Sequence, residues 1–257
     1  MSIRMTLTEA PPDIPLELAA VAGREFGERL RRLGVDLGSR LVRSGEGVAA
    51  PSVRIQLLGP EAGAMREIVL DGEMAARVMV HLDDDRKLPL PELQTGEEGH
   101  VEGLVSDTVA AQTLMRLGLQ ENDRIRMTRK LPPMRFATMV HEHGRTARAG
   151  LSEGQAAMIL GRFDEAEPAA SRQFAMARGK SAFFVDEVLG DSQMVSSLTN
   201  LGVLSGSRLI LREVLPSQQV SLAGHASIRL VTQEGLTLLL HPHDAEKMTV
   251  IVCGQSA

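Results

Sequence analysis

The stretch "LMRLGLQENDRIRM" at 114–127 decides the reading of this chain, because it is written nearly alike in two other places. "LRRLGVDLGSRLVR" stands at 30–43 and "LTNLGVLSGSRLIL" at 198–211. The Leu-Gly pairs 33–34, 117–118 and 201–202 fall 84 residues apart in both steps, and other positions keep that step. Arg40, Arg124 and Arg208 share it, as do Leu30, Leu114 and Leu198, and Leu41, Ile125 and Leu209. Equal intervals with side-chain type held in several registers predict three tandem copies of one small fold.

Each copy parses in the same way. Phe26, Leu30 and Leu33, then Ala110, Leu114 and Leu117, then Met194, Leu198 and Leu201 lie at i, i+4, i+7, the spacing of a short helix with one buried face. The glycine after the last leucine suits a helix end, where a left-handed backbone is needed. Asp107 and Asp191 sit where N-caps belong. A tight turn follows ("DLGS", "QEND" or "LSGS"), and then a strand that points Leu41, Ile125 or Leu209 inward. In the second copy Asn122 replaces the turn glycine and still tolerates a left-handed conformation.

Further strand patterns follow at "SVRIQLL", "FATMVHE" and "QQVSLAG", then at "REIVL", "RTARAGL" and "SIRLV". The third copy carries what reads as an additional strand, "LTLLL" at 236–240. Five or six short strands and one helix in about eighty residues predict a small closed barrel, so the chain is expected to be mainly β. The boundaries expected are a first barrel over 10–82, a second over 99–162 and a third over 181–254. The polar, proline-containing stretches 83–98 and 163–180 are expected to be linkers.

Composition narrows the function. The 257 residues are 43% apolar but include only six aromatic side chains, all Phe. Without Trp or Tyr, and with a net charge of −5, the stacking platforms of single-strand nucleic-acid binders and the aromatic groove of polyproline readers are missing. One cysteine, Cys253, excludes an internal disulfide framework and a cysteine-based zinc site. There is no phosphate loop and no dinucleotide fingerprint. "GLSEGQ" at 150–155 is a helix start capped by Ser152 rather than a nucleophile elbow. No apolar run approaches twenty residues and no charged-then-apolar leader opens the chain. A cytoplasmic protein that inserts in no membrane is therefore expected.

A strand, a helix closing in "LxxLG", a turn and a "GSRLxL" strand resemble the FeoA family of ferrous-iron-transport accessory proteins. The residues that carry the likeness are Leu30, Leu33, Gly34, Gly38, Arg40 and Leu41 in the first copy. They are Leu114, Leu117, Gly118, Arg124 and Ile125 in the second, and Leu198, Leu201, Gly202, Gly206, Arg208 and Leu209 in the third. The resemblance implies SH3-like barrels and a non-enzymatic role by protein contact, with an iron permease or iron-dependent protein as partner. A FeoA protein is usually one such domain, whereas three are written here. The motif residues are fold residues, so the likeness hands over no catalytic site.

Two kinds of site remain to be weighed. "HEH" and "HPH" place His141 with His143, and His241 with His243, two apart. On a strand such pairs share a face and offer two imidazoles to a divalent transition metal such as ferrous iron. Pro242 also suits the first turn of a short helix, which would make His241 its cap. The second group is a partner surface. Arg124, Arg126, Arg129 and Lys130 form a basic run, and "KLPPMRF" at 130–136 reads as a hairpin tip offering Met134 and Phe136. The bland alternatives are a solvated strand face and a turn whose Met packs on its own barrel. The oligomeric state is left open by the sequence.

Overall fold

The computed structural model describes residues 4–59, 65–105, 108–142, 144–164, 171–217 and 226–253. The chain opens with β1 (Arg4–Thr6), β2 (Pro15–Val21), α1 (Arg24–Arg32) and β3 (Arg40–Val48). It continues through β4 (Ser52–Leu58), β5 (Met65–Leu70), α2 (Gly72–Ala76), β6 (Val78–Leu82), β7 (Lys87–Pro89), β8 (Glu98–Leu104), α3 (Thr108–Leu117) and β9 (Arg124–Leu131). Next come β10 (Met134–Glu142), β11 (Arg145–Ser152), α4 (Glu153–Ala157), β12 (Ile159–Phe163), β13 (Arg172–Gln173), β14 (Ala182–Val188), α5 (Ser192–Asn200) and β15 (Arg208–Pro216). The last elements are β16 (Ser227–Thr232), β17 (Thr237–Leu240), α6 (Pro242–Ala245) and β18 (Met248–Val252).

Among the described residues these strands form three six-stranded sheets, so the protein is mainly β, as the pattern predicts. The first sheet runs β1-β18-β2-β3-β16-β17, the second β7-β6-β8-β9-β4-β5 and the third β13-β12-β14-β15-β10-β11. One strand order thus serves all three sheets, consistent with small SH3-like barrels. Each runs from one edge strand to the other instead of closing on itself.

The helix that precedes each central strand ends as expected. Gly34, Gly118 and Gly202 have φ of 92°, 85° and 76°. The amides one residue on, of Val35, Leu119 and Val203, donate back to the carbonyls of Leu30, Leu114 and Leu198 at 2.9 Å. Asn122 stands at φ 70°, doing the work of the turn glycines Gly38 and Gly206. Asp191 caps α5 through the Met194 amide, whereas Asp107 lies outside the described residues. Ser152 caps α4 in a reciprocal capping box with Gln155.

The sheets are not cut where the sequence copies are. β3 and β4, read as neighbours in a first barrel over 10–82, lie in different sheets, and β9 and β10 likewise. Each copy gives its leading half to one sheet and its trailing half to the next, and the trailing half of the last copy returns to the first sheet beside β3. The crossings explain why. Ala49–Pro51 and the pair Pro132–Pro133 connect the strands. Proline forces the residue before it into extended backbone and removes the amide a tight turn would use, so the chain runs on instead of folding back.

The expected linkers are also structural. Within 83–98 lie β7 and a 3-10 turn, Leu90–Glu92, with Leu90 and Leu93 fully buried. Within 163–180 lie β13 and a 3-10 turn, Phe174–Met176, with Phe174 fully buried. Buried leucine or phenylalanine inside a polar run holds the stretch to a core, which average polarity conceals. "LTLLL" is not an additional strand: as β17 it pairs with β16 just as β5 pairs with β4 and β11 with β10. The "QQVSLAG" stretch at 218–224 lies outside the described residues.

Each sheet covers an apolar core assembled from both of its contributors. Leu16 and Leu41 meet Leu230, Leu238 and Val250 in the first. Val53 and Ile55 meet Leu114 and Ile125 in the second, and Phe136 and Ile159 meet Phe183 and Leu209 in the third. Burying each such side chain stabilises the fold by about 1.5–3 kcal/mol, so neither half of a sheet can leave its partner cheaply. The clusters also run between sheets. Met79 and Val105 of the second sheet enter the first core, and Met158, Leu160 and Leu189 of the third enter the second.

Candidate functional surface

A set of interleaved charged side chains lies on the outer face of the second sheet. β8 carries "EGHVE" at 98–102, and strand alternation puts Glu98, His100 and Glu102 on one side. Antiparallel register sets Glu98 opposite Arg126 and His100 opposite Arg124 on β9, and His81 of β6 opposite His100 on the other flank. Gly99 between them is required by a close approach: a Cβ there would stand 2.4 Å from the carbonyl oxygen of His81.

Signs alternate across this face. Arg126 Nε donates to Glu98 at 2.7 Å, and Arg124 reaches Asp83 at 2.7 Å and Glu98 at 3.4 Å. The hydrogen bond from Arg126, and then the charges of both guanidiniums, hold the Glu98 carboxyl below the usual carboxylate range. Lys87 on β7 donates to Glu102 at 2.5 Å, and His81 Nδ1 lies 3.4 Å from the same carboxylate. The Lys87 hydrogen bond is the main cause that lowers Glu102, with His81 and His100 adding to it. His81 Nε2 stands 3.5 Å from Asp85, and the His81 and His100 rings meet edge-on with centroids 5.9 Å apart.

Arg124 and Arg126, expected in a basic run, are therefore members of a mixed-charge lattice. Exposed ion pairs of this kind contribute only about 0–1 kcal/mol each, so either arginine can be re-paired by an incoming acidic group at little cost. Arg129 and Lys130 are exposed further along β9, opposite Arg54 and Val53. Met134 and Phe136 do not form an exposed hairpin tip. β9 and β10 part into different sheets at Pro132–Pro133, Phe136 is buried in the third core, and Met134 is half-buried against it. This corrects the expectation of a hydrophobic contact there, since both side chains already have a core to fill.

His141 lies on β10 and shares a 2.8 Å hydrogen bond between its Nδ1 and the Thr146 hydroxyl. Its expected partner His143 lies outside the described residues. His241 is the N-cap of α6: its Nδ1 accepts from the His243 amide at 3.2 Å. Burial, and after it the Arg77 charge, push its pKa below the ordinary histidine value. His243 turns instead toward Glu246, 3.7 Å away. Among the described residues no group of three or more His, Cys, Asp or Glu side chains is disposed to hold a metal ion.

A second polar cluster, unforeseen from sequence, lies where α2 and α4 meet between the second and third sheets. Asp71 caps α2 through the Met74 amide at 2.7 Å, and burial raises its pKa. Glu153, 6% exposed at the start of α4, is also raised, chiefly by burial, against the pull of Ser52, Arg54 and Arg129. Among the described residues, Glu153 Oε2 and Arg54 Nε have no hydrogen-bond partner, though both are buried. Gln173 of β13 ties the joint: its amide bonds the Val69 amide at 2.8 Å and the carbonyls of Val69 and Ala157 at 2.7 and 2.8 Å. Both acids sit in short helix starts whose burial depends on the neighbouring sheet, and no local pattern announces that.

Fold and surface together define a mainly β protein of small SH3-like sheets, one of which carries a face of interleaved charges. The FeoA domain family matches residues 88–162. That match runs from β7 to β12 and spans the crossing from the second sheet into the third. No curated protein and no solved structure matches the chain. Among the described residues no helix is long and apolar enough to cross a membrane.

Proposed function

We propose that this chain is a non-enzymatic adaptor of ferrous-iron transport or iron-protein metabolism, built from three tandem FeoA-like units and acting in the cytoplasm by protein contact. The observation that carries the reading is the FeoA match over 88–162, whose first half forms β8, α3 and β9. Those strands hold the charged lattice around Glu98, Arg124 and Arg126. Exposed, weakly worth ion pairs are suited to exchange for a partner's charges. On this reading Arg124, Arg126, Arg129 and Lys130 meet acidic groups on an iron permease or an iron-dependent protein.

The metal-binding alternative, through the His141/His143 and His241/His243 pairs, would have to use Nε2 of His141 and His241. Nδ1 of His241 is engaged in a cap and Nδ1 of His141 in a bond to Thr146. The test is cross-linking in the native host followed by identification of the captured chains. Capture of an iron permease or iron enzyme, lost on R124E/R126E substitution, supports the adaptor. Capture of ribosomal and unrelated chains only, unchanged by the substitution, contradicts it.

A further inference from the structure

One kind of contact between the sheets is used twice. Between the first and second sheets, the end of α1 meets the end of β8. Leu33 lies against Gly103, where a Cβ would stand 3.4 Å from it, and Arg32 pairs with Glu121 at 3.3 Å. Between the second and third sheets, the end of α3 meets the end of β14. Leu117, equivalent to Leu33, is buried, and Arg116, equivalent to Arg32, pairs with Glu187. On the receiving side Val105 and Leu189 are equivalent and enter the neighbour's core.

The third sheet presents the same helix end once more, and the first sheet the same strand end, and among the described residues both stand open. Leu201, equivalent to Leu33 and Leu117, is only half-buried where they are 5% and 1% exposed. Val21, equivalent to Val105 and Leu189, is half-buried where they are 2% and 6% exposed. Beside Val21 lies an open groove of about 330 Å³, lined also by Leu37 and by the ion pairs Arg24–Glu28 and Arg31–Asp36. Leu37 is 66% exposed at the position equivalent to Glu121.

The chemistry of the two open faces matches. Each internal joint uses an arginine on the helix side and a glutamate on the strand side. On the open helix side the arginine is replaced by the exposed Asn200. On the open strand side the two glutamates are replaced, Glu121 by Leu37 and Glu187 by Ala19. One face has lost the cation and the other the anion, so neither leaves a charge unpaired when they meet. We infer that the open α5 end of one molecule docks on the open β2–α1 edge of a second copy of this chain, continuing the internal joint head to tail. Such a contact is heterologous, so it propagates into rings or filaments rather than stopping at a two-fold dimer.

Sedimentation velocity on the full chain over a concentration series tests this, with substitutions at exposed positions so that the fold is preserved. Wild type is expected to grow in mass with concentration. L37E and N200E, each of which brings a charge without a partner into the contact, are each expected to weaken assembly by more than about tenfold. An equimolar mixture of L37E and N200E is expected to give one dimer and nothing larger, because one good head and one good tail remain and the two substituted ends repel each other. The double variant L37E/N200R is expected to assemble again, now in a salt-sensitive way. A wild type that stays monomeric at every concentration overturns the proposal. So does assembly that both single variants leave intact, or blocked chains that fail to combine.

Discussion

Replacing Phe174 by alanine separates a core anchor from a linker residue. The side chain is fully buried, with its ring centroid 5.2 Å from Phe183 on β14 and 6.3 Å from Phe136 on β10. Truncating a buried Phe costs about 3–5 kcal/mol through lost transfer energy and the cavity left behind, the edge-on partner included in that range. The chain has no Trp or Tyr, so intrinsic fluorescence is a poor reporter and hydrogen exchange by mass spectrometry is the assay. Where exchange proceeds through opening of the third sheet, that loss predicts amides of β10, β14 and β15 exchanging about 150- to 4,000-fold faster. Met176→Ala, at a half-buried position in the same turn, is expected to do far less. An increase under about threefold for Phe174→Ala, within the ±0.5 kcal/mol scatter of surface changes, would refute the anchor and restore the linker.

Other predictions concern the joints. Removing Gln173 as Gln173→Ala leaves three buried backbone groups of Val69 and Ala157 unpaired, at about 1–3 kcal/mol each. Exchange at Val69 should accelerate by at least about tenfold, and an unchanged rate counts against the joint. For Glu153, burial raises the carboxyl, so its favourable contribution is greatest at acidic pH and is lost as pH rises through its folded pKa. Glu153→Gln should therefore gain melting temperature over wild type as pH rises from about 4 to 7, and a gain that shrinks contradicts it. His241 is lowered, so its contribution is complete above the unfolded value near 6.5 and falls as pH drops through the folded one. His241→Asn keeps a cap without the titration and should flatten the loss of melting temperature on acidification below about pH 6.5. A variant that loses as much as wild type excludes the idea.

Much of each local fold is legible in the sequence, because it is fixed by neighbours in the chain. The Leu-x-x-Leu-Gly helices, the left-handed Asn122 and the Ser152 cap all depend on residues within one turn, and they stand as read. What could not be read is which strand meets which. The pattern of β9 and β10 fits a hairpin and a crossing equally well, and only the stiffness of Pro132–Pro133 tips it toward the crossing. The buried status of Leu90 and Phe174 was hidden for the same reason, since each fills a core supplied by distant segments. The charged face was half legible. Alternation in "EGHVE" sets Glu98, His100 and Glu102 together, but His81 and Lys87 join them only through the register of β6 and β7.

The exchange of halves between successive sheets underlies this account, and cross-strand Hα–Hα nuclear Overhauser effects on the labelled chain test it most directly. Contacts are expected between β4 and β9 in the register that sets Ile55 beside Met127, and between β10 and β15 in the register that sets Met139 beside Ile210. Contacts instead between β9 and β10, closing at Pro132–Pro133 as a hairpin, would contradict it.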